Sequence, residues 1–339
     1  MSIPNTNEAR IETSTACNAA CVFCPWPTDD FTRKKEIMSL EDYKFYIDKL
    51  KDEMVDKIEE VTVSGFGEAF LDKTLLDKMR YAKDKGYGIH VLTNGSLLDE
   101  FKIDEMFDIG IMDLRVSLHT TNPDSYGNVL NYKGNRHTLE GVLNNLDYAI
   151  ERKPNETEII ITADIVEENK NDVDKLVEDY GDKCSLEIWY PHNWIDTYEY
   201  RDYSSPLVHE TCGRPKTGPI QIQVDGDVIM CCFDFNDEMI LGNFRHQTLE
   251  EIFSLEEDNL FSKIYNHHEK GTCGESDLLC SNCDQLKLSG EVVIYNNRVE
   301  DKDDRVKRVT TNLKDIKYGT FSQFVKNYRE KFIKESFAL

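Results

Sequence analysis

Short apolar, β-rich runs alternate with longer segments of helical period over roughly the first two hundred residues, the pattern of an α/β domain built on a parallel sheet. Six strands are predicted, at about Ala9–Thr15, Glu60–Ser64, Gly88–Thr93, Met112–Leu118, Glu158–Ile165 and Ser185–Tyr190. Helices fit between them. Ser39–Lys57 opens on a serine cap, Leu75–Lys85 ends at Gly86, and Thr138–Arg152 and Val173–Tyr180 carry apolar residues at i, i+3, i+4 spacing. Crossovers between parallel strands share one hand, so such units curl into an open barrel whose functional loops lie at the carboxyl ends of the strands.

The alternation stops near residue 205, where Ser204-Ser205-Pro206 reads as a linker. Beyond it, Ile220–Val224 alternates apolar and polar side chains up to Asp225-Gly226, and Val228–Met230 follows, which predicts a β-hairpin on a tight Asp-Gly turn. A helix is expected from Thr248 to Phe253. From Glu291 the chain reads as a charged tail in which Phe321, Phe324, Tyr328 and Phe332 recur near helical spacing. The organisation expected is residues 1–205 as the barrel, 206–290 as a smaller second domain and 291–339 as a charged, partly helical tail, with no internal repeat.

Of the 339 residues, 40% are apolar and 31% charged, which places the chain with globular proteins rather than disordered or fibrous ones. Forty basic against sixty-four acidic side chains leave a formal charge of −24, a field that repels phosphate backbones and anionic lipid. Neither nucleic acid nor membrane is expected as a partner. No run approaches the roughly 18 apolar residues of a membrane span, and the polar start Met1–Asn7 does not read as a signal peptide, so a cytoplasmic location is expected. Thiols stay reduced there, and clustered cysteines then read as metal or redox chemistry. Of the ten cysteines, Cys17, Cys21 and Cys24 crowd near the start, Cys212, Cys231, Cys232, Cys273, Cys280 and Cys283 gather in the last third, and Cys184 stands apart.

Three thiolates spaced Cys17-x3-Cys21-x2-Cys24 just past the first strand can wrap one compact metal centre. A structural zinc wants four protein ligands, whereas a 4Fe-4S cluster held by three cysteines leaves one iron open to chemistry. On spacing alone, zinc with a remote fourth ligand stays open. The spacing, with the aromatic Phe23 before the third cysteine, resembles the hallmark of the radical SAM superfamily. Further motifs agree in order. Gly65-Phe66-Gly67-Glu68 is similar to the family's Gly-Gly-Glu-Pro motif, with Phe66 in place of a glycine and Ala69 in place of the proline; Thr93-Asn94-Gly95, Ser117 and His119 stand at the family's ribose-contacting positions. Each motif alone is an ordinary turn. Together they fall at the carboxyl ends of strands two, three and four, above the cysteine loop after strand one, where a single ligand could touch all of them.

The resemblance implies a partial (β/α)6 TIM-like barrel and reductive cleavage of S-adenosylmethionine (SAM) to a 5′-deoxyadenosyl radical that abstracts a hydrogen atom from the substrate. The implied cofactors are SAM and a 4Fe-4S cluster on Cys17, Cys21 and Cys24, with Phe23, Gly65, Gly67, Glu68, Thr93, Asn94, Ser117 and His119 contacting SAM; Glu68 faces its amino group. A flavodoxin- or ferredoxin-type protein is the implied reductant. Hydrogen abstraction requires no acid-base pair, so no catalytic side chain is assigned.

Cys212, a hairpin with Gly226 shortly before Cys231, and Cys280-x2-Cys283 resemble the SPASM and twitch extensions of that superfamily. No cysteine follows Cys283, which fits the twitch form with one auxiliary 4Fe-4S cluster on Cys212, Cys231, Cys280 and Cys283; a structural zinc is the alternative on composition. Cys232 and Cys273 are spare, with Cys232 pointing away from Cys231. One-cluster relatives include an enzyme that oxidises an alcohol on a cyclitol, so dehydrogenation of a polar small molecule, a cyclitol or aminosugar-like carbinol, is the leading expectation. Epimerisation of a sugar or peptide is the rival, with Cys184 as a candidate hydrogen donor. Maturation of a ribosomal peptide is another, although only 16 residues precede Cys17, too few for an added peptide-binding domain. The aromatic run Trp189–Trp194 is a candidate substrate wall. A non-enzymatic iron-sulfur or zinc protein is the alternative of another class.

Overall fold

A computed structural model describes residues 3–54, 57–132, 137–189, 191–195, 197–198, 210–286 and 293–298. Six parallel strands run in sequence order: β1 (Glu8–Glu12), β2 (Glu60–Ser64), β3 (Gly88–Thr93), β4 (Asp113–Ser117), β5 (Glu158–Asp164) and β6 (Ser185–Trp189). These match the six expected runs to within a few residues. The first strand is the exception, ending at Glu12. Residues 13–15 instead turn toward the chain near residue 37, through Met38 N to Thr13 O at 2.9 Å and Thr15 N to Glu36 O at 2.9 Å.

Helices α1 (Leu40–Glu53), α2 (Leu75–Asp84), α3 (Glu100–Ile109), α4 (Pro123–Leu130), α5 (Leu139–Arg152) and α6 (Val173–Tyr180) fill the crossovers. Side-chain caps fix where several begin, Ser39 on Asp42 N and Thr138 on Gly141 N among them. Their buried faces, such as Tyr43, Tyr46, Ile47 and Leu50 of α1, pack on the outward-facing Ala9, Ile11, Val61 and Val63 of the sheet in one continuous core. The architecture is a mixed α/β fold on a largely parallel sheet, a partial barrel followed by a C-terminal cysteine-rich region.

The second region grows from the same sheet. Strand β7 (Ile220–Ile222) pairs parallel with β1, and β8 (Asp227–Ile229) and β9 (Ile240–Asn243) continue antiparallel, so the expected hairpin gains a third strand. Short helices α7 (Arg214–Thr217), α8 (Leu249–Ile252, with a Thr248/Glu251 capping box) and the longer α9 (Leu260–Lys270) surround it. At the opposite edge, β10 (Val293–Asn296) pairs antiparallel with β6. The expected linker at residues 204–206 and the aromatic residues at 321–332 lie outside the described residues.

Alternation gives the barrel a polar interior. Residues 8, 10 and 12 of β1 point inward, as do Glu60, His90, Asp113, Glu158 and Glu187. At the amino ends of the strands His90 bonds Asp113 (2.6 Å) and faces Glu60 (3.3 Å), while Arg298 bonds Glu158 and Glu187 at 2.8 Å. Burial opposes charge on His90, but the bonds to Asp113 and Glu60 outweigh it and push its pKa up to about 9. No described helix is long and apolar enough to cross a membrane.

Candidate active site

The loop carrying Cys17, Cys21 and Cys24 leaves the carboxyl end of β1 and is clamped from two sides. Ala20 N and Val22 N donate to Leu130 O and Val129 O at the end of α4, both at 3.0 Å, and Trp26 Nε1 donates to Thr15 O at 2.6 Å. Cys24 N to Cys21 O at 3.1 Å closes a turn that puts Phe23 and Cys24 on the wall of a large cavity. Burial raises all three thiols, Cys24 to about 12, so their ionised form needs a cation bound among them. No three Cys, His, Asp or Glu side chains among the described residues converge as the ligands of one ion would. Separate thiols around a loop suit a cubane, which offers each ligand its own iron.

Several of the expected SAM-contacting residues, Gly65, Gly67, Asn94 and His119 among them, lie against this loop or the segment leading into it. Asn94 Nδ2 donates to Asn18 Oδ1 (2.9 Å), and Asn18 Nδ2 donates to Ser96 Oγ (2.8 Å), tying the cysteine loop to the Thr-Asn-Gly turn after β3. Glu68 is tied to the neighbouring loops. Its carboxylate is fully buried and accepts from Thr93 Oγ1 (2.6 Å), Asn94 N (2.7 Å) and Phe70 N (3.0 Å). These donors clasp two loops together, and Oε2, with Asn94 N on it, keeps acceptor capacity for one more donor.

Gly65 and Gly67 also act on the protein itself. A Cβ on Gly67 would stand 2.1 Å from Ala16 O, and one on Gly65 2.6 Å from Ser14 O, so both glycines let the loop lie against the strand that delivers Cys17. Between them Phe66 joins a ring cluster with Phe31, Trp194 and Phe235, which accounts for an aromatic where the family motif has glycine. Ser117 Oγ meets Thr162 Oγ1 at 3.2 Å, and His119 lies buried with φ at 65°. The His119 ring sits 4.7 Å from Phe23 and its Nδ1 accepts Asp164 N at 2.9 Å; burial drives its pKa down to about 3, so it is neutral.

The cavity, about 520 Å³, lies inside the carboxyl end of the barrel. Its lining includes Phe23 and Cys24 of the cysteine loop, Gly65, Phe66 and Asp164, and Arg214, Gln221, Gln285 and Cys232 of the second region; Arg10, Trp189, His192 and Trp194 line it as well. Trp194 is held by Nε1 to Phe23 O at 2.8 Å. Beneath, Arg33 bonds Glu12, Asp237 and Gln223, and Glu12 also accepts Phe66 N, so one buried network joins β1, the loop after the cysteines and the second region. Sequence reading missed Glu12, Arg33, Asp164, Arg214 and Asp237. The available signal was charge at alternate positions of β1, where a core strand would be apolar.

Of the remaining cysteines, Cys212, Cys231, Cys280 and Cys283 line one small enclosed pocket with Met230, Met239 and Leu286. Four thiols around a largely apolar pocket are a donor set suited to a closed iron-sulfur centre. Cys232 lines the large cavity, but its thiol hydrogen-bonds with that of Cys231, so the two neighbours do not point apart as expected; Cys273 is buried against Cys283 and Leu286. Cys184 lies at the amino end of β6, where its thiol meets Tyr180 O at 3.8 Å, away from the cavity.

Residues 11–180 match the family model described as the radical SAM superfamily, and residues 212–284 match the SPASM iron-sulfur cluster-binding domain. The chain is 22% identical over 291 residues, 83% of its length and 94% of the relative's, to the S-adenosyl-L-methionine-dependent 2-deoxy-scyllo-inosamine dehydrogenase of Niallia circulans. Among solved structures it resembles BtrN in complex with AdoMet and 2-DOIA, at TM-score 0.54 and 18% identity over 86% of this chain and 98% of that one. It also resembles SuiB of Streptococcus suis bound to the precursor peptide SuiA, at TM-score 0.60 and 14% identity over 78% of this chain and 67% of that one. At those identities the two structures speak for the fold.

Proposed function

The chain belongs to the radical SAM superfamily, and on that premise we propose that it dehydrogenates a polar ring carbinol of cyclitol or aminosugar type. The cavity carries this reading. Its volume, about 520 Å³, suits a small ring compound, its Trp189 and Trp194 offer faces to a ring, and its Gln221, Gln285 and Arg10 offer hydrogen bonds to hydroxyls. Likeness to a 2-deoxy-scyllo-inosamine dehydrogenase over 83% of the chain points the same way.

In this reading Cys17, Cys21 and Cys24 hold the SAM-cleaving 4Fe-4S cluster, and Cys212, Cys231, Cys280 and Cys283 hold one auxiliary 4Fe-4S cluster. When bound, the first cluster and SAM supply the carbon-centred radical, and the second an electron acceptor. The chain supplies placement. Asn18, Asn94 and Glu68 fix the loops around SAM, Phe23 and the neutral His119 keep water from its reactive end, and Asp164, at the end of β5 on the cavity wall, takes the hydroxyl proton that leaves as carbinol becomes ketone. Anaerobic reconstitution, dithionite and SAM should give 5′-deoxyadenosine, and a panel of cyclitols and aminosugars should give a ketone from at least one member. No 5′-deoxyadenosine from iron-loaded protein would favour a non-enzymatic carrier.

A second reading, epimerisation, draws on one observation: Cys232 presents a thiol to the cavity, whereas Cys184 does not reach it. Deuterium from solvent in an unoxidised product, lost in Cys232→Ala, would select it.

A further inference from the structure

The large cavity and the enclosed cysteine pocket share a wall, to which Arg214 and Gln285 contribute on both sides. Arg214 is the charged member. It follows Cys212 by two positions, opens α7, and is only 6% exposed. Its Nη2 donates to Cys232 Sγ at 3.6 Å on the cavity side, and its guanidinium carbon stands 5.6 Å from the centre of the Phe233 ring. On the pocket side it shares the lining with Cys212, Cys231, Cys280 and Cys283, and its charge acts on the Cys231 thiol. An opposing charge is close by, since Asp284 Oδ1 lies 4.0 Å from Cys283 Sγ and Oδ2 lies 3.6 Å from His192.

An arginine keeps its charge when buried, unlike lysine, and a buried charge acts through a low effective dielectric that salt screens poorly. Four thiolates around iron carry net negative charge that grows by one on reduction. A fixed cation beside them therefore favours the reduced form, and a side chain that also faces the cavity places this influence next to the substrate.

We propose that Arg214 is a positioning residue that sets the reduction potential of the auxiliary cluster from the wall it shares with the substrate cavity. The proposal rests on the assignment of Cys212, Cys231, Cys280 and Cys283 as cluster ligands, and it is independent of which substrate is used.

The test uses the full chain carrying Cys17→Ala, Cys21→Ala and Cys24→Ala, so that only the auxiliary cluster gives a reduced-state EPR signal. Iron and sulfide analysis first establishes that this cluster is present; its absence with Arg214 intact would reject the ligand assignment, and the proposal with it. Redox titrations then compare Arg214 with R214K, R214Q and R214M. At the wild-type midpoint, R214Q and R214M should lower the ratio of reduced to oxidised cluster about tenfold, equivalent to about 59 mV for one electron, while R214K stays within about threefold. A neutral variant that loads iron and leaves the ratio unchanged overturns the proposal. So does an R214K shift as large as that of R214Q, because shape rather than charge would then matter. If neither neutral variant loads iron, loading by R214K supports the role of charge, and failure of R214K to load overturns it.

Discussion

The two cysteine regions solve opposite problems. The first puts its thiols on a loop beside the mouth of a cavity, with Phe23 and Cys24 on the cavity wall and backbone bonds from Ala20 and Val22 holding the loop to α4. The second turns four thiols into a pocket walled by Met230, Met239 and Leu286, with Arg214 and Gln285 between it and the cavity. Three ligands beside open space leave a metal corner for a cofactor; four around a closed pocket leave none. In the proposed reading, the difference separates a site that does chemistry from one that takes up charge.

The largest effect that would break this contrast is removal of a thiol from each side. Cys17→Ala should abolish 5′-deoxyadenosine formation at least a hundredfold while the fold persists by circular dichroism. Cys280→Ala should leave SAM cleavage measurable but reduce iron content by about half and strongly reduce oxidised product. Equal loss of SAM cleavage in both variants would remove the distinction.

Next comes the network that holds the regions together. Arg33 is largely buried between Glu12 and Asp237, and removing one member of such a set strands the others. Arg33→Met should destabilise the fold by about 3–5 kcal/mol in denaturant unfolding, a far larger effect than loss of an exposed pair. A change below about 1 kcal/mol would mean that the network does not join the regions.

A smaller effect is expected where the cysteine loop meets the Thr-Asn-Gly turn. Asn18→Ala removes the bonds to Asn94 and Ser96 and should cost about 1 kcal/mol of stability. SAM affinity should fall several-fold with little change in iron content, measured by equilibrium binding to the loaded protein. Unchanged affinity would show that the turn needs no help from the cysteine loop.

The amino end of the barrel supplies a control remote from both cysteine sites. His90 has its pKa raised in the folded state from 6.5 to about 9 by Asp113 and Glu60, against the effect of burial. Its contribution to stability is therefore complete below about pH 6.5 and disappears as pH rises through about 9. Unfolding free energy should decline across that window, and the decline attributable to this group should vanish in His90→Asn. An identical slope in the variant would reject the link.

Much of the fold was legible because outward-facing apolar residues of the strands and the periodic faces of α1, α2, α5 and α6 follow simple patterns. Helices α3 and α4 were not assigned. Their signals were present, since Asp99 and Gly110 bracket α3 and Asn122 with Pro123 opens α4, caps as strong as the serine and threonine ones elsewhere. The cysteines were legible as two groups, and the structure gathers Cys212, Cys231, Cys280 and Cys283 around one pocket although almost fifty residues separate Cys231 from Cys280. The cavity was harder to foresee. Its charged residues alternate along strands as solvent-facing residues do, and only closure of the barrel shows that Arg10, Glu12 and Asp164 look inward. Nor does the sequence show that Glu68 also braces Thr93, Asn94 and Phe70.

The most direct measurement is EPR of the dithionite-reduced, fully loaded protein with and without SAM. Two cluster signals are expected, of which one shifts on SAM addition and is missing in Cys17→Ala, while the other is unmoved and is missing in Cys280→Ala. A SAM-dependent shift that survives Cys17→Ala, or SAM binding that perturbs neither signal, would contradict this expectation.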